Sequence, residues 1–249
     1  FIALVDDTNP VVLVTEGYGA DYGRSPRHLN ELSALLNANQ VVVEHRYFSK
    51  SRPDSLRWEY LTVANAAADH HAVVQLLKTY FTGQWVNTGI SKGGQTALFH
   101  RAFYPEDADL TVSYVAPMNF GVEDGRHEPY IAKVCGTKAD RLKIKAFQTE
   151  VLQRRDRLMP LFEAFIKEKK MTFAVDYPEV YDFSVLEFSF AFWQWGTNPD
   201  EIPPLITSDE VIFNYWMKIS SPDYFSLEGL ERVGPFFVQA ARELGYYGY

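Results

Sequence analysis

The stretch Gly89-Ile90-Ser91-Lys92-Gly93-Gly94 decides how the rest of the chain is read. It follows a short run with strand character, Trp85-Val86-Asn87-Thr88, and precedes a run with helical character, Gln95-Thr96-Ala97-Leu98-Phe99-His100-Arg101. A Gly-x-Ser-x-Gly between strand and helix implies a turn so tight that the side chains flanking the serine must be small, hence Gly89 and Gly93. Such a turn lifts the Ser91 hydroxyl to the top of the sheet. It also points the N-terminus of the following helix at any centre reacting there.

Working outward, Pro10-Val11-Val12-Leu13-Val14-Thr15 and Gln40-Val41-Val42-Val43-Glu44-His45 read as buried strands, rich in β-branched residues. Residues 16–23 form a glycine-rich loop, and residues 28–38 have helical apolar spacing. Residues 62–81 predict a long amphipathic helix with Thr62 as its N-cap. Leu110-Thr111-Val112-Ser113-Tyr114-Val115-Ala116 predicts one more strand, stopped by Pro117. Alternating strands and helices imply a parallel, helix-covered sheet. With the serine turn, this predicts an α/β fold, an α/β-hydrolase core in which Gly89–Gly93 is the nucleophile elbow.

After residue 118 the pattern changes. Residues 138–170 are charged and helical, 179–195 are an aromatic-rich helical stretch, and 208–219 and 227–244 look helical again. The expected division is 1–117 as the N-terminal part of the hydrolase core and 118–249 as a helical cap over the end of the sheet where the serine sits. The aromatics of the second half either line a pocket or form that region's own core.

The bulk numbers set the outer limits. The chain has 249 residues, with 47% hydrophobic, 22% charged and 15% aromatic residues, as in ordinary globular proteins apart from the high aromatic share. A net charge of −8 argues against nucleic-acid or anionic-membrane partners. No window is long and apolar enough to span a membrane. The chain opens abruptly on the apolar run Phe1-Ile2-Ala3-Leu4-Val5, without a signal peptide, as if cut from something longer. The single cysteine, Cys135, forbids an intrachain disulfide or a cysteine-based metal site. No His-x-x-x-His or acidic cluster has ligand spacing, so neither metal nor cofactor is expected.

Ser91 is the expected nucleophile. A hydroxyl needs a general base, and the charge developing on an attacked carbonyl needs amide donors already in place. The donors expected are the backbone N–H of Lys92 and one from the Gly17-Tyr18-Gly19 loop. The Lys92 side chain could pair with Glu44 or with Glu16. In this fold the order is Ser, then acid, then His. Only His100 and His127 follow Ser91. His100 lies on the serine's own helix, and His127 precedes any acid with its own strand-end loop. The acid and base are therefore expected outside this chain, which reads as the front of a truncated catalytic domain.

Several longer stretches resemble family thirty-seven of the serine peptidases, secreted bacterial tripeptidyl-aminopeptidase-like enzymes. They are Val43-Glu44-His45-Arg46-Tyr47-Phe48-Ser49-Lys50-Ser51-Arg52-Pro53, the Thr88–Ala97 segment around Ser91, Tyr114-Val115-Ala116-Pro117, residues 119–129 and residues 190–196. The first also resembles the strand motif of the related prolylcarboxypeptidases. The resemblance covers nearly the whole chain. It implies a peptide substrate, Ser91 as nucleophile, secreted or periplasmic location, and a triad Asp and His supplied from a C-terminal segment, so that this fragment alone would be inactive. An exopeptidase that reads a free amino terminus needs a carboxylate for the ammonium. The candidates are Glu123, Asp124, Glu128 and Glu187. An esterase or amidase of the same fold, or a binding protein that kept the turn but lost its triad, are the alternatives.

Overall fold

The computed structural model describes residues 1–25 and 27–247. Five strands form one sheet in the order β1-β3-β2-β4-β5: β1 (Ile2–Ala3), β2 (Val11–Thr15), β3 (Asn39–Val43), β4 (Trp85–Ile90) and β5 (Leu110–Tyr114). β1 runs antiparallel to β3, and the other pairings are parallel. β2 sits at the centre, and all five of its residues are buried. Its alternate side chains enter different clusters. Val11 and Leu13 pack with Val41, Val74 and Trp85, whereas Val12 and Val14 pack with Val42, Val86 and Leu32. A strand covered on both faces has no need of polar residues, which explains the unbroken Val-Val-Leu-Val run.

Helices α1 (Glu31–Leu35), α2 (Val63–Leu77) and α3 (Lys92–Phe103) flank this sheet. Thr62 caps α2 as expected, its hydroxyl accepting from the Asn65 amide. The helix expected over 28–38 is much shorter. Asn30 caps it, accepting from the Leu32 amide, and Asn37 at φ 46° turns the chain out after one turn. β5 ends at Tyr114, two residues before the expected limit, because Val115 leaves the strand at φ 44°.

Two buried polar features tie α2, α3 and the sheet. Asp107 accepts from His71 at 2.8 Å, His100 at 2.9 Å and Gln75 at 2.9 Å. Asn87 of β4 donates to Ala97 O and also approaches His100 Nδ1 at 3.2 Å. His70, fully buried on α2, donates from Nδ1 to Ala66 O at 2.6 Å. Burial pushes its pKa down to about 4. A depressed histidine is neutral in the fold but takes a proton when unfolded, so stability falls as pH drops from about 6.5 towards 4. We expect His70→Asn to flatten that fall in the full-length protein by up to about 1.4 kcal/mol per pH unit. Urea unfolding at pH 7, 6 and 5 reads it, and identical slopes in the two proteins would refute this.

The described residues form two compact units, 1–122 with 235–246, and 123–234 with 247. Residues 248 and 249, placed with the cap by sequence, lie outside the described residues. Residues 235–246, read from sequence as part of the helical second half, fold with the sheet. Phe236, Ala240 and Leu244 pack against Phe48, Tyr18, Val63 and Phe99. They belong to the end of α9 (Leu227–Gln239) and the π-helical turn that follows it.

The second unit holds α4 (His127–Lys133), α5 (Lys138–Gln153), α6 (Arg155–Lys169), α7 (Tyr177–Gln194) and α8 (Asp209–Ile219). α4 has no counterpart in the sequence reading. The aromatics mostly form this unit's own core: Phe147, Phe162, Tyr181, Phe188, Phe192 and Trp216 are all fully buried. Tyr181 and Trp216 carry polar atoms into it, and both are paired. Tyr181 OH donates to Val151 O at 2.7 Å and Trp216 Nε1 to Ser184 O at 3.2 Å.

Candidate active site

β4 hands the chain directly to α3 through Ser91, which sits at φ 56°, ψ −123°. For a non-glycine residue this conformation is strained by roughly 1–3 kcal/mol. It holds because the turn is fixed on every side. The Ser91 amide donates to Tyr114 O at 2.9 Å, and Gln95 N closes the first helical turn on Ser91 O at 3.0 Å. Gly89 and Gly93 meet backbone to backbone: a methyl group on Gly93 would lie 2.7 Å from Thr15 O. The turn leaves Ser91 exposed between the buried residues Gly89 and Lys92. Among the described residues its hydroxyl has no hydrogen-bond partner. It stands at the N-terminus of the 12-residue α3, where unpaired amides and the helix dipole favour negative charge.

The loop after β2 lies against that helix end. A methyl group on Gly17 would lie 2.6 Å from Lys92 Cβ and 2.7 Å from Gly93 N, so only glycine lets the loop come this close. Gly17 is thus brought into contact with the first turn of α3, the turn that Ser91 precedes.

The long motif after β3 holds this loop in place. Glu44 accepts from the Ala20 amide at 2.9 Å and from the Ser51 amide and hydroxyl at 2.9 and 2.8 Å. His45 N donates to Tyr18 O at 3.1 Å. The buried His45 ring bonds Arg46 O through Nδ1 at 2.8 Å, and burial, aided by the nearby Lys92 charge, drives its pKa well below the usual histidine value. Arg46 forms a two-pronged pair with Asp69 on α2, both contacts at 2.7 Å. The Tyr47 hydroxyl donates to Arg57 O, and its ring stacks on Trp58. Nothing in the local sequence marks Glu44 as the tie between residues 20 and 51, because its partners are 24 and 7 residues away.

Lys92 pairs with neither Glu44 nor Glu16. Its Nζ donates to Gly17 O at 2.7 Å and lies 5.6 Å from the Tyr18 ring centre and 5.2 Å from that of Phe48. Burial lowers its pKa to about 7, against the pull of the Glu16 charge. Burial in turn raises the Glu16 carboxyl, against hydrogen bonds from the Tyr22 hydroxyl and the Gly17 amide. A cavity of about 10 Å³, room for one water, adjoins Lys92, His45 and Gln95.

The four carboxylates expected to read an amino terminus all lie in the second unit. Asp124 is buried and takes Arg126 on both oxygens, at 2.8 Å from Nε and 2.5 Å from the terminal nitrogen. Glu187, half-buried on α7, accepts from Tyr247 OH at 3.1 Å. The Tyr247 ring stacks on Phe190. Glu123 is exposed just before Asp124, and Glu128 is exposed in the first turn of α4. Glu128 borders a groove of about 590 Å³ between α4, α5 and α7, with Arg141, Phe190 and Trp193. Among the described residues no group of three or more His, Cys, Asp or Glu side chains could hold a metal ion. No helix there is long and apolar enough to cross a membrane.

The model of the PS-10 peptidase S37 family matches residues 2–248. The chain is 36% identical over 251 residues to the prolyl tri/tetrapeptidyl aminopeptidase of Streptomyces mobaraensis, across 98% of this chain and 52% of that protein. It therefore spans about half the length of the curated relative it matches. Among solved structures, the non-heme bromoperoxidase BpoC of Mycobacterium tuberculosis H37Rv aligns with 99% of this chain and 83% of its own, at 15% identity and a TM-score of 0.36, too low to bear on fold or function.

Proposed function

Since the chain belongs to peptidase family S37, we propose that Ser91 is the acyl-accepting nucleophile of a secreted serine peptidase that cleaves peptides from a free amino terminus. The observation that carries this is an exposed hydroxyl on a strained strand-to-helix turn, packed between a helix N-terminus and a glycine loop. In the proposed step Ser91 Oγ attacks the scissile carbonyl carbon, a base takes the hydroxyl proton, and the carbonyl oxygen becomes an oxyanion. The amides of Lys92 and of Gly17 or Tyr18 receive that charge. Collapse of the tetrahedral species expels the amine, which carries the proton away, and water releases the acyl group by the reverse path.

None of the buried histidines of the first unit is proposed as the base. His45, His70 and His100 each bond a fixed protein partner inside the fold. The reading takes the base and its acid from outside the described residues, so this chain alone is proposed to lack turnover. For the substrate ammonium, the candidates remain Glu123, Asp124, Glu128 and Glu187. Glu187 is half-buried and accepts from the Tyr247 hydroxyl, and Asp124 already pairs with Arg126.

Two assays on the full-length protein test this. A fluorophosphonate is expected to label Ser91, located by peptide mapping. Peptide anilides with a free amino terminus are expected to turn over at least about 100-fold faster, by kcat/KM, than their N-acetylated forms, since blocking removes a charge-assisted contact. Equal rates for free and blocked peptides would remove the amino-terminal reading. Faster turnover of simple esters than of any peptide would point to an esterase.

A further inference from the structure

Lys92 presents a physical oddity. Its side chain is 2% exposed, and among the described residues it forms no ion pair. Its one hydrogen bond is to a neutral carbonyl, Gly17 O. Two aromatic rings face the ammonium and return part of the lost hydration. A buried amine so weakly compensated is a net burden on stability, and a leucine or methionine of similar volume would fill the space at lower cost. The role of the amine is therefore to be sought in what it holds.

It holds one peptide group. A trans peptide is planar, with its C=O and the following N–H pointing in opposite directions, and the described residues contain no cis peptide. Fixing the Gly17 carbonyl on Nζ therefore fixes the direction of the Tyr18 N–H. Glycine at 17 lacks a side chain to do this itself, and its conformational freedom would otherwise leave the plane free to rotate. The Tyr18 carbonyl is fixed from the other side by the His45 amide. Lys92 is also the residue directly after Ser91, in the first turn of the helix that Gly17 touches.

We propose that the Lys92 side chain is a positioning residue: by gripping the Gly17 carbonyl it sets the Gly17–Tyr18 peptide plane, and so aims the Tyr18 N–H at the oxyanion formed when Ser91 is acylated. This rests on the assignment of Ser91 as nucleophile. The donor is useful only when the negative charge has formed, so losing its aim lowers kcat and leaves substrate binding nearly untouched.

The test uses the full-length protein and Lys92→Met, which keeps the bulk and removes the donor. We expect kcat on a free-amino-terminus peptide anilide to fall about 30- to 100-fold, the low end for a lost oxyanion donor. KM should change by less than about threefold, and melting temperature should hold or rise. Fluorophosphonate labelling should still reach one equivalent, more slowly. If Lys92→Met does not fold, Lys92→Gln serves: its amide donor ends one bond short of Nζ, and about a 10-fold loss of kcat is expected. A kcat within threefold of wild type in whichever variant folds overturns the proposal, as does a loss carried by KM alone. Ser91→Ala is run in parallel. Labelling that persists there shows that the nucleophile assignment has failed, whatever Lys92 does.

Discussion

Ser91→Ala in the full-length protein is expected to lower kcat by roughly 10⁶-fold, the scale seen when a serine nucleophile is removed from an intact triad. The loss should not come from unfolding. Alanine carries the same Cβ as serine, so the strain at φ 56° is unchanged. No hydrogen bond of the serine hydroxyl is forfeited either, since it has none among the described residues. Ser91→Gly should be just as inactive but more stable, by about 1 kcal/mol, because glycine enters positive φ freely. Residual turnover, thermal melting and fluorophosphonate labelling are read on both variants. A kcat within about 100-fold of wild type in Ser91→Ala would remove Ser91 from its role. A Ser91→Gly protein less stable than Ser91→Ala would contradict the strained backbone.

The second large effect is one of stability. Gly89→Ala should destabilise the protein by about 4 kcal/mol or more, or abolish soluble expression. The added methyl would overlap the Gly93 carbonyl group and lie 2.7 Å from Thr15 O. All of these atoms are backbone, so no side chain can swing aside. Relief would require α3 to move away from β2 and β4, which opens the packing at the centre of the sheet. Gly125 provides the contrast, because a methyl there meets nothing within 4 Å. Gly125→Ala should therefore shift stability by less than about 0.5 kcal/mol. Thermal melts of the two variants beside wild type decide it. Equal shifts would mean that the crowding around Gly89 is absent.

Much of the first unit was legible in the chain order of residues. The runs at 10–15, 40–45 and 85–88 are legible as strands from their β-branched residues, and the structure places strands at Val11–Thr15, Asn39–Val43 and Trp85–Ile90. Thr62 announced α2 because a cap acts within one turn of itself. Three features were not legible. The helix at 28–38 had the right spacing, yet Asn37 turned the backbone and left a single turn. Residues 227–244 had ordinary helical spacing, which cannot say which core they enter; Phe236 and Leu244 pack with Phe48 and Phe99. Glu16 and Glu44 were reasonable partners for Lys92 by charge alone. Glu44 is instead engaged by amides at 20 and 51, and Lys92 bonds a carbonyl.

Sequence by itself determined the strand–serine–helix turn, because the need for glycine on both sides of Ser91 arises within five residues and is met there. It also determined family membership, through long motifs whose spacing chance does not reproduce. Only the tertiary structure decided what surrounds the serine. The Gly17 loop reaches α3, Lys92 is buried beneath Tyr18, and Glu44 ties two loops, all through contacts between separate segments of the chain. The physical reason is range. Backbone sterics and capping act over a few residues, whereas burial and the pairing of buried polar groups are settled only when distant segments pack together.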